Sequence, residues 1–359
     1  MTTRILMAAG ATGGHIMPAV AVAAALEEKL RGENGKAEFL FVGAGRAAAA
    51  DILDPLGLPR TTVKAGGIKG GGIRGAIRGV SLGIGAFRES LAIVKKFRPA
   101  FSFGAGGYVS GPVGLASRVL GVPLAIHEQN GLPGLTNRLL GKIADAVFLG
   151  DKSGAPGFSE KKTLFVGNPV RKEILANSAR DYAAELDGGK FAILVLGGSQ
   201  GAESVNRAVA ETLPFLFSLP RVARIVHQAG NRGLERVREE YAKAGVEAEV
   251  GGFFGDMAKL YRRAHLVIAR AGALTLAELS ASRLPSILIP LPGAADDHQT
   301  RNARTFEEAG ASILLPEKDL DGEKLFSVLK NLVGDRERLV SMSRNAARLN
   351  PPDAAEVMA

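Results

Sequence analysis

Two doubly wound α/β domains are predicted by three features of the chain. Short apolar runs alternate with helical patterns from end to end, the alternation breaks near Gly167-Asn-Pro169, and the turns after several runs are glycine-rich. Such alternation predicts parallel sheets, because each crossover lays a helix on a sheet face. At 359 residues and 46% hydrophobic content the chain can fill two cores of ordinary size. The expected domains are 1–167 and 168–359, with the last helix a candidate to pack back on the first.

In the first domain the strand-like runs are 5–9, 39–42, 61–63, 101–103, 124–126, 147–149 and 163–166. The second repeats the scheme at 191–196, 224–227, 248–250, 266–269, 287–289 and 312–314, and its tail, 335–348, reads as a helix stopped by Asn350-Pro-Pro352. Ligands of open parallel sheets sit beyond the carboxyl ends of the strands, so the turns there are where function is sought. Ala9-Gly-Ala-Thr-Gly-Gly-His15 follows the first run, and Pro18 is placed to begin the next helix. Gly104-Ala-Gly-Gly-Tyr-Val-Ser-Gly-Pro112 and Gly197-Gly-Ser-Gln-Gly201 are two more such turns, and the three together would frame a cleft between the domains. Gly43-Ala-Gly45 imitates a dinucleotide fingerprint, but Thr61-Thr-Val-Lys64 lacks the acid such a site needs.

The stretch 266–278 reads as strand, turn and helix without a spacer. Gly272 permits a sharp turn, and the N–H groups of Ala273, Leu274 and Thr275 would face an anion such as a diphosphate. Glu278, one turn along on the face of Thr275, could accept hydrogen bonds from a sugar diol. Thr275 and Glu278 also fit a capping box, which would satisfy the helix start and nothing more.

His15, at the end of a glycine loop, is the candidate general base, with phosphate contact or helix capping as its other readings. His127-Glu-Gln-Asn130 ends a buried run. Adjacent strand residues face opposite ways, so His127 and Glu128 are not both expected in a site; Glu128 is a second, weaker acid–base candidate and Asn130 could reach a ligand hydroxyl. Gln299 offers donor and acceptor groups to a sugar. The contiguous Asp296, Asp297 and His298 diverge from a helix start, and Asp319-Leu-Asp321 reads as a cap, so no metal is expected.

The absence of cysteine excludes disulfides, thiolate zinc sites and a cysteine nucleophile. Met1-Thr-Thr-Arg4 leads straight into the first strand-like run without a signal-peptide pattern, and a cytoplasmic location is expected. Residues 58–98 carry nine basic groups against the single acid Glu89, which supplies +8 of the net +9. Ile68, Ile73, Ile77, Val80, Leu82, Ile84 and Phe87 lie between the charges. The mixture fits docking on an anionic membrane at about 1 kcal/mol per basic residue near the surface, or a solvated basic loop. Nucleic acid is disfavoured because tryptophan is absent and tyrosine sparse.

Taken together, Thr12-Gly-Gly-His15, Gly106-Gly-Tyr-Val-Ser-Gly-Pro112, His127-Glu-Gln-Asn130, Gly167-Asn-Pro-Val-Arg171, Gly197-Gly-Ser-Gln-Gly201, Gly272-Ala-Leu-Thr-x-x-Glu278 and Gln299-x-x-Asn302 resemble one family over essentially the whole chain. It is the bacterial UDP-N-acetylglucosamine:undecaprenyl-pyrophosphoryl-muramoyl-pentapeptide N-acetylglucosaminyltransferases, which make lipid II. Any one motif is weak; their joint order and spacing are specific.

The resemblance implies a GT-B fold, two Rossmann-like domains with a deep cleft, the acceptor lipid I on the first and UDP-N-acetylglucosamine on the second. It implies an inverting transfer to the acceptor's 4-hydroxyl without cofactor or essential metal, for peptidoglycan synthesis. Phe254 would meet the uracil through its backbone and Glu278 the ribose; Ser199 and the amides from Ala273 to Thr275 would hold the diphosphate, with Leu276 and Ala277 in the same turn. Arg171 would lie beside the diphosphate, Asn130 and Gln299 would meet the sugar, and Thr12, Gly13 and Gly14 would close over it. Acceptor contacts would come from His15, Tyr108, Ser110 and His127. A membrane patch of Lys64, Lys69, Ile73, Arg74, Ile77, Arg78 and Phe87 would hold the enzyme peripherally at the cytoplasmic face of the inner membrane, against anionic lipids and near other cell-wall synthesis and division proteins. Ala11 and Ala271 depart from a usual glycine and serine, the first bearing on loop flexibility and neither removing a contact. The competing readings are another GT-B glycolipid transferase, a non-hydrolysing UDP-sugar epimerase, and a non-catalytic basic protein that binds membrane or nucleic acid.

Overall fold

The computed structural model describes residues 2–10, 13–44, 47–65, 72–198, 201–216, 218–219, 222–294, 297–351 and 353–359; for 47, 48, 51, 72–81 and 223 it describes the main chain alone. The chain divides into two units, Met1–Arg171 with Pro351–Ala359, and Lys172–Asn350. The first boundary thus follows Arg171 rather than residue 167, and residues 351–359 belong to the first unit.

Apolar runs that are too short for helices become the strands of two parallel sheets. The first holds β1 (Thr2–Ala8), β2 (Lys36–Gly43), β3 (Arg60–Thr62), β4 (Phe101–Gly104), β5 (Leu124–Glu128), β6 (Ala146–Leu149) and β7 (Thr163–Phe165), in the order β3-β2-β1-β4-β5-β6-β7. The second holds β8 (Phe191–Leu196), β9 (Val222–Gln228), β10 (Glu249–Gly251), β11 (Leu266–Ala269), β12 (Ser286–Leu288) and β13 (Ser312–Leu314), in the order β10-β9-β8-β11-β12-β13. Every residue of β8 and β11 is buried, as strands covered on both faces require.

Around the first sheet lie α1 (Gly13–Gly32), α2 (Ala47–Leu53), α3 (Gly72–Phe97), α4 (Ser110–Val119) and α5 (Leu135–Ile143). The second unit has α6 (Lys172–Leu175), α7 (Tyr182–Leu186), α8 (Glu203–Leu216), α9 (Leu234–Lys243), α10 (Met257–Arg263), α11 (Ala273–Ala281), α12 (His298–Glu308), α13 (Gly322–Val333) and α14 (Arg336–Ala346). A short helix, α15 (Ala354–Met358), packs on α1 through Ala355 against Ala21 and Ala25, while Met358 joins the core that holds Ile5 and Met7. The tail helix α14 stays with the second unit. α1 begins at Gly13, not at Pro18, which therefore sits inside the helix and gives the Gly14 carbonyl no N–H. Asp321 is the cap its spacing predicts, accepting from the Lys324 N–H at 2.7 Å. No described helix is long and apolar enough to cross a membrane.

Candidate active site

In the first unit the strand order reverses between β1 and β4, and the turns beyond them are knitted together. Gly10 donates its N–H to the Gly106 carbonyl at 3.0 Å and Ala105 to Ala8 at 2.8 Å. His15, in the first turn of α1, lays a half-buried ring into the slot between these turns. A Cβ on Gly10 would lie 2.9 Å from its Nδ1, and one on Gly106 2.9 Å from its Cδ2. Gly106 and Gly107 also have φ of +91° and +81°, and a Cβ on Gly107 would lie 2.6 Å from Gly10 Cα. The three glycines are thus what admits an imidazole here. Gly13 and Gly14 are half-buried at the start of the same helix, and Thr12, like Ala11, lies outside the described residues.

Ser110 is turned inward, away from solvent. Its buried hydroxyl reaches the Gly106 carbonyl at 2.8 Å and that of Ala8 at 3.2 Å, so it braces the slot. Tyr108 is 56% exposed and stays accessible. His127 is completely buried, so its ring has no surface for an acceptor; burial pushes its pKa down to about 3, with His15 adding to the shift. The Gly167 main chain opposes that shift, although neither ring nitrogen of His127 meets a partner at hydrogen-bonding geometry.

Glu128, the weaker acid–base candidate, braces the loop beside it. Its Oε1 accepts from the Asn130 N–H at 3.0 Å, and its Oε2 from the Gly134 N–H at 3.1 Å and from Asn137 Nδ2 at 2.9 Å. Both oxygens of Glu128 are thus tied to the loop and helix that follow β5. Asn130 is thereby fixed at the strand crest, half-buried, and Arg171 is partly buried where the first unit ends.

The second unit reverses order between β8 and β11, but here the turn after β8 closes on β9. Gly197 donates to the Gln228 carbonyl at 3.1 Å, and a Cβ on Gly201 would lie 2.4 Å from the Ala229 oxygen. Ser199, between these glycines, lies outside the described residues. Gln228 Oε1 accepts from the Phe254 N–H at 3.3 Å, leaving the carbonyl as that residue's remaining main-chain group for a base.

Beyond β11 the N-cap of α11 is Gly272, with extended backbone and no side-chain cap. Thr275 is inside the helix, so the capping-box reading fails. The first helical hydrogen bond runs from the Leu276 N–H to the Gly272 carbonyl at 3.0 Å. The N–H groups of the partly exposed Ala273, Leu274 and Thr275 thus precede the ladder and face outward, with the positive end of the helix dipole behind them. Leu276, its amide spent in that bond, and Ala277 are buried at 4% and 3% and support the turn from the core.

Glu278 is buried, and its Oε2 accepts the Tyr261 hydroxyl at 2.9 Å. Gln299 Oε1 accepts from the Leu291 N–H at 3.0 Å, which makes its Nε2 the donor end of the amide. Asn302 ties α12 to the turn by donating to the Ala271 carbonyl at 3.1 Å. Arg270 braces the neighbouring loop through the carbonyls of Ile289 and Pro290, at 3.1 and 3.2 Å. Tyr261, Gln228 and Arg270 drew no notice in sequence, where a tyrosine in a helix, a strand-end glutamine and a basic residue after a strand have many readings. Among the described residues no three His, Asp or Glu side chains gather as a metal site; Asp296 lies outside them.

Of the membrane patch, Lys69 lies outside the described residues, as do the side chains of Ile73, Arg74, Ile77 and Arg78. Lys64 is exposed, its N–H bonded to Glu89 Oε2 at 2.8 Å. Phe87 instead packs against the core that contains Leu6 and Val94, because an aromatic ring on that face of α3 is covered by the sheet. An exposed apolar surface lies next to α3, on α4 and α5: Leu115, Val119, Leu135, Leu139 and Ile143, with the exposed Arg138 and Lys142 between them. The two helices meet closely, a Cβ on Gly111 lying 3.4 Å from Thr136 Cγ2. Their i, i+4 spacing was the signal for this face.

The chain matches the Glycosyltransferase family 28 N-terminal domain over residues 5–149 and the Glycosyltransferase family 28 C-terminal domain over residues 192–358. It is 41% identical over 356 residues to the UDP-N-acetylglucosamine--N-acetylmuramyl-(pentapeptide) pyrophosphoryl-undecaprenol N-acetylglucosamine transferase of Myxococcus xanthus, covering 99% of this chain and 91% of that protein. To the protein of the same name from Syntrophus aciditrophicus it is 42% identical, over 97% and 95% of the two chains. Among solved structures it is similar to MurG of Acinetobacter baumannii, with a TM-score of 0.73 at 30% identity over 99% and 97% of the chains. A UDP-GlcNAc 2-epimerase from Neisseria meningitidis shares the fold alone, at TM-score 0.66 and 12% identity, covering 99% of this chain and 98% of that one.

Proposed function

The chain belongs to glycosyltransferase family 28, and from that premise we infer that it is the UDP-N-acetylglucosamine-dependent transferase that converts lipid I to lipid II in peptidoglycan synthesis. The observation that carries this is identity of about two residues in five, over nearly the whole chain, with relatives that bear that name. The substrates are UDP-N-acetylglucosamine and the lipid-linked N-acetylmuramyl-pentapeptide.

How the residues perform the transfer is our proposal. The acceptor's 4-hydroxyl oxygen bonds to the anomeric carbon of N-acetylglucosamine from the face opposite UDP, while the bond from that carbon to the phosphate oxygen breaks. The hydroxyl proton passes to His15, whose place in the glycine slot supports this role. The electron pair leaves with UDP, and the amides at the start of α11 meet the charge that develops there, with no metal required. Glu278 receives the ribose hydroxyls, the Phe254 carbonyl meets the uracil, and the Nε2 of Gln299 donates to the sugar. The roles that the resemblance gives Asn130, Arg171, Ser199 and residues 12–14 stand in the same proposal.

The test is single-turnover transfer of labelled N-acetylglucosamine to a soluble lipid I analogue in EDTA, with wild type and Glu278→Ala. Wild type is expected to transfer, and the variant to lose at least about tenfold in donor affinity. Failure of wild type in EDTA while donor still binds would overturn metal-free transfer; absence of donor binding would overturn the nucleotide site.

Peripheral association with the cytoplasmic face of the inner membrane belongs to the same proposal, with neighbouring cell-wall synthesis and division proteins resting on the resemblance alone. The apolar surface of α4 and α5 and its two basic residues support it, beside the basic segment 58–98. Sedimentation with anionic vesicles measures it: Leu135→Glu with Leu139→Glu should abolish binding, and unchanged binding would refute this face.

A further inference from the structure

Glu278 is assigned to the donor's ribose, yet a glutamate has three freely turning side-chain torsions and no intrinsic reason to point at a diol. Its orientation is set from behind. Tyr261, in α10, is 1% exposed and donates its hydroxyl to Glu278 Oε2 at 2.9 Å. A carboxylate offers about four acceptor directions, and this bond occupies one of them, on Oε2.

Tyr261 is itself held. Arg180, with its side chain wholly buried, donates to the Tyr261 carbonyl at 3.2 Å and the Ala264 carbonyl at 3.0 Å, and reaches the Ser282 carbonyl at 3.5 Å. One guanidinium thus joins the carboxyl end of α10 to that of α11, where helix dipoles favour a cation, and it is ion-paired with Glu185. Burial lowers the pKa of Arg180, and the Glu185 carboxylate opposes the loss of its charge. The separation of the helices is therefore fixed, and with it the reach of the Tyr261 hydroxyl. Glu278 lies one turn beyond Thr275, whose N–H is among those assigned to the diphosphate. Fixing the carboxylate on α11 thus fixes the distance between the ribose and diphosphate subsites.

We propose that Tyr261 is a positioning residue for donor recognition: its buried hydroxyl holds the Glu278 carboxylate in the orientation that receives the ribose hydroxyls of a uridine diphosphate donor. The inference rests on the assignment of Glu278 to the ribose.

The experiment compares wild type, Tyr261→Phe and Glu278→Gln by calorimetric binding of UDP and of 2′,3′-dideoxy-UDP to the full chain, with steady-state transfer alongside. Tyr261→Phe is expected to weaken UDP binding roughly tenfold, the loss of a hydrogen bond to a charged group, but dideoxy-UDP binding by no more than about twofold. In transfer the loss should fall on the donor KM rather than on kcat. Adding Tyr261→Phe to Glu278→Gln should bring little further loss of UDP affinity. Equal weakening of both nucleotides would overturn the proposal, since a general loosening of the core does not sense ribose hydroxyls. UDP binding that falls in Glu278→Gln but holds in Tyr261→Phe would also overturn it, with the ribose assignment intact. If Glu278→Gln binds UDP as wild type does, the ribose assignment fails and takes the proposal with it.

Discussion

The two units have the same sheet topology around their reversal points, β3-β2-β1-β4-β5-β6 in one and β10-β9-β8-β11-β12-β13 in the other, and use the crevice there in opposite ways. In the first, the turns after β1 and β4 bond to each other and close around the ring of His15. In the second, the turn after β8 bonds sideways to β9, and beyond β11 a helix starts with no side-chain cap hydrogen bond among the described residues. One crevice presents a side chain fixed by steric walls, and the other presents main-chain dipoles. The difference teaches that a shared fold supplies the place, while the direction in which a single glycine turn is tied decides what occupies it.

The comparison breaks most readily at the steric walls. Gly106→Ala puts a methyl 2.9 Å from His15 Cδ2 at a φ that L-residues avoid. Transfer should fall at least about 100-fold, the cost of a misplaced catalytic group, with UDP affinity unchanged. Single-turnover rates with calorimetry check both; a parallel loss of UDP binding would show that the slot and the donor turn are not independent.

Gly272→Asp sharpens the contrast from the other side. The position has an ordinary φ and open space, its nearest neighbour being Thr275 Oγ1 at 3.8 Å, so the aspartate can cap α11. Stability should rise by a few tenths of a kcal/mol while UDP affinity falls roughly tenfold, because the new carboxylate takes the amides and repels the diphosphate. A gain in stability without loss of affinity would remove the amides from the donor site.

A smaller effect separates the buried histidines. His227 bonds Tyr241 and Asn206, each at 3.1 Å, whereas His127 lacks a partner of good geometry. His227→Leu should cost about 1–3 kcal/mol in urea unfolding by stranding those two groups, and His127→Leu less. Burial depresses both folded-state values, to about 3 for His127 and about 4 for His227. The unfolded chain therefore binds more protons below the ordinary value near 6.5. The stability that the neutral rings contribute is whole above pH 6.5 and is lost as pH falls toward 3 or 4, at about 2 kcal/mol per ring by pH 5. Either leucine variant should flatten that slope.

Much of this was legible in sequence where backbone chemistry decides. Short β-rich apolar runs read as buried strands, and Gly272 before a helical pattern marked a helix start, which the structure shows to be uncapped by a side chain rather than closed by a capping box. The roles that depend on where a side chain points were not legible. Ser110, in the glycine-rich turn after β4, and Glu128, at the end of β5, look like site residues, yet both spend their oxygens on the main chain and side chains beside them. Nothing in the sequence around Arg180 marks it, and only tertiary packing brings the three carbonyls to it. Phe87 sits among basic residues, but the helix rotation that turns it inward is set by the sheet beneath.

Met358 lies in one hydrophobic core with Ile5 and Met7. As the chain emerges from the ribosome, the unit that starts first therefore cannot be completed until residue 358 has been made, after every residue of the unit inserted into it. The inserted unit, 172–350, has all its strands in hand before then. Until then the earlier unit, whose strands are already made, keeps its Ala21 and Ala25 face uncovered.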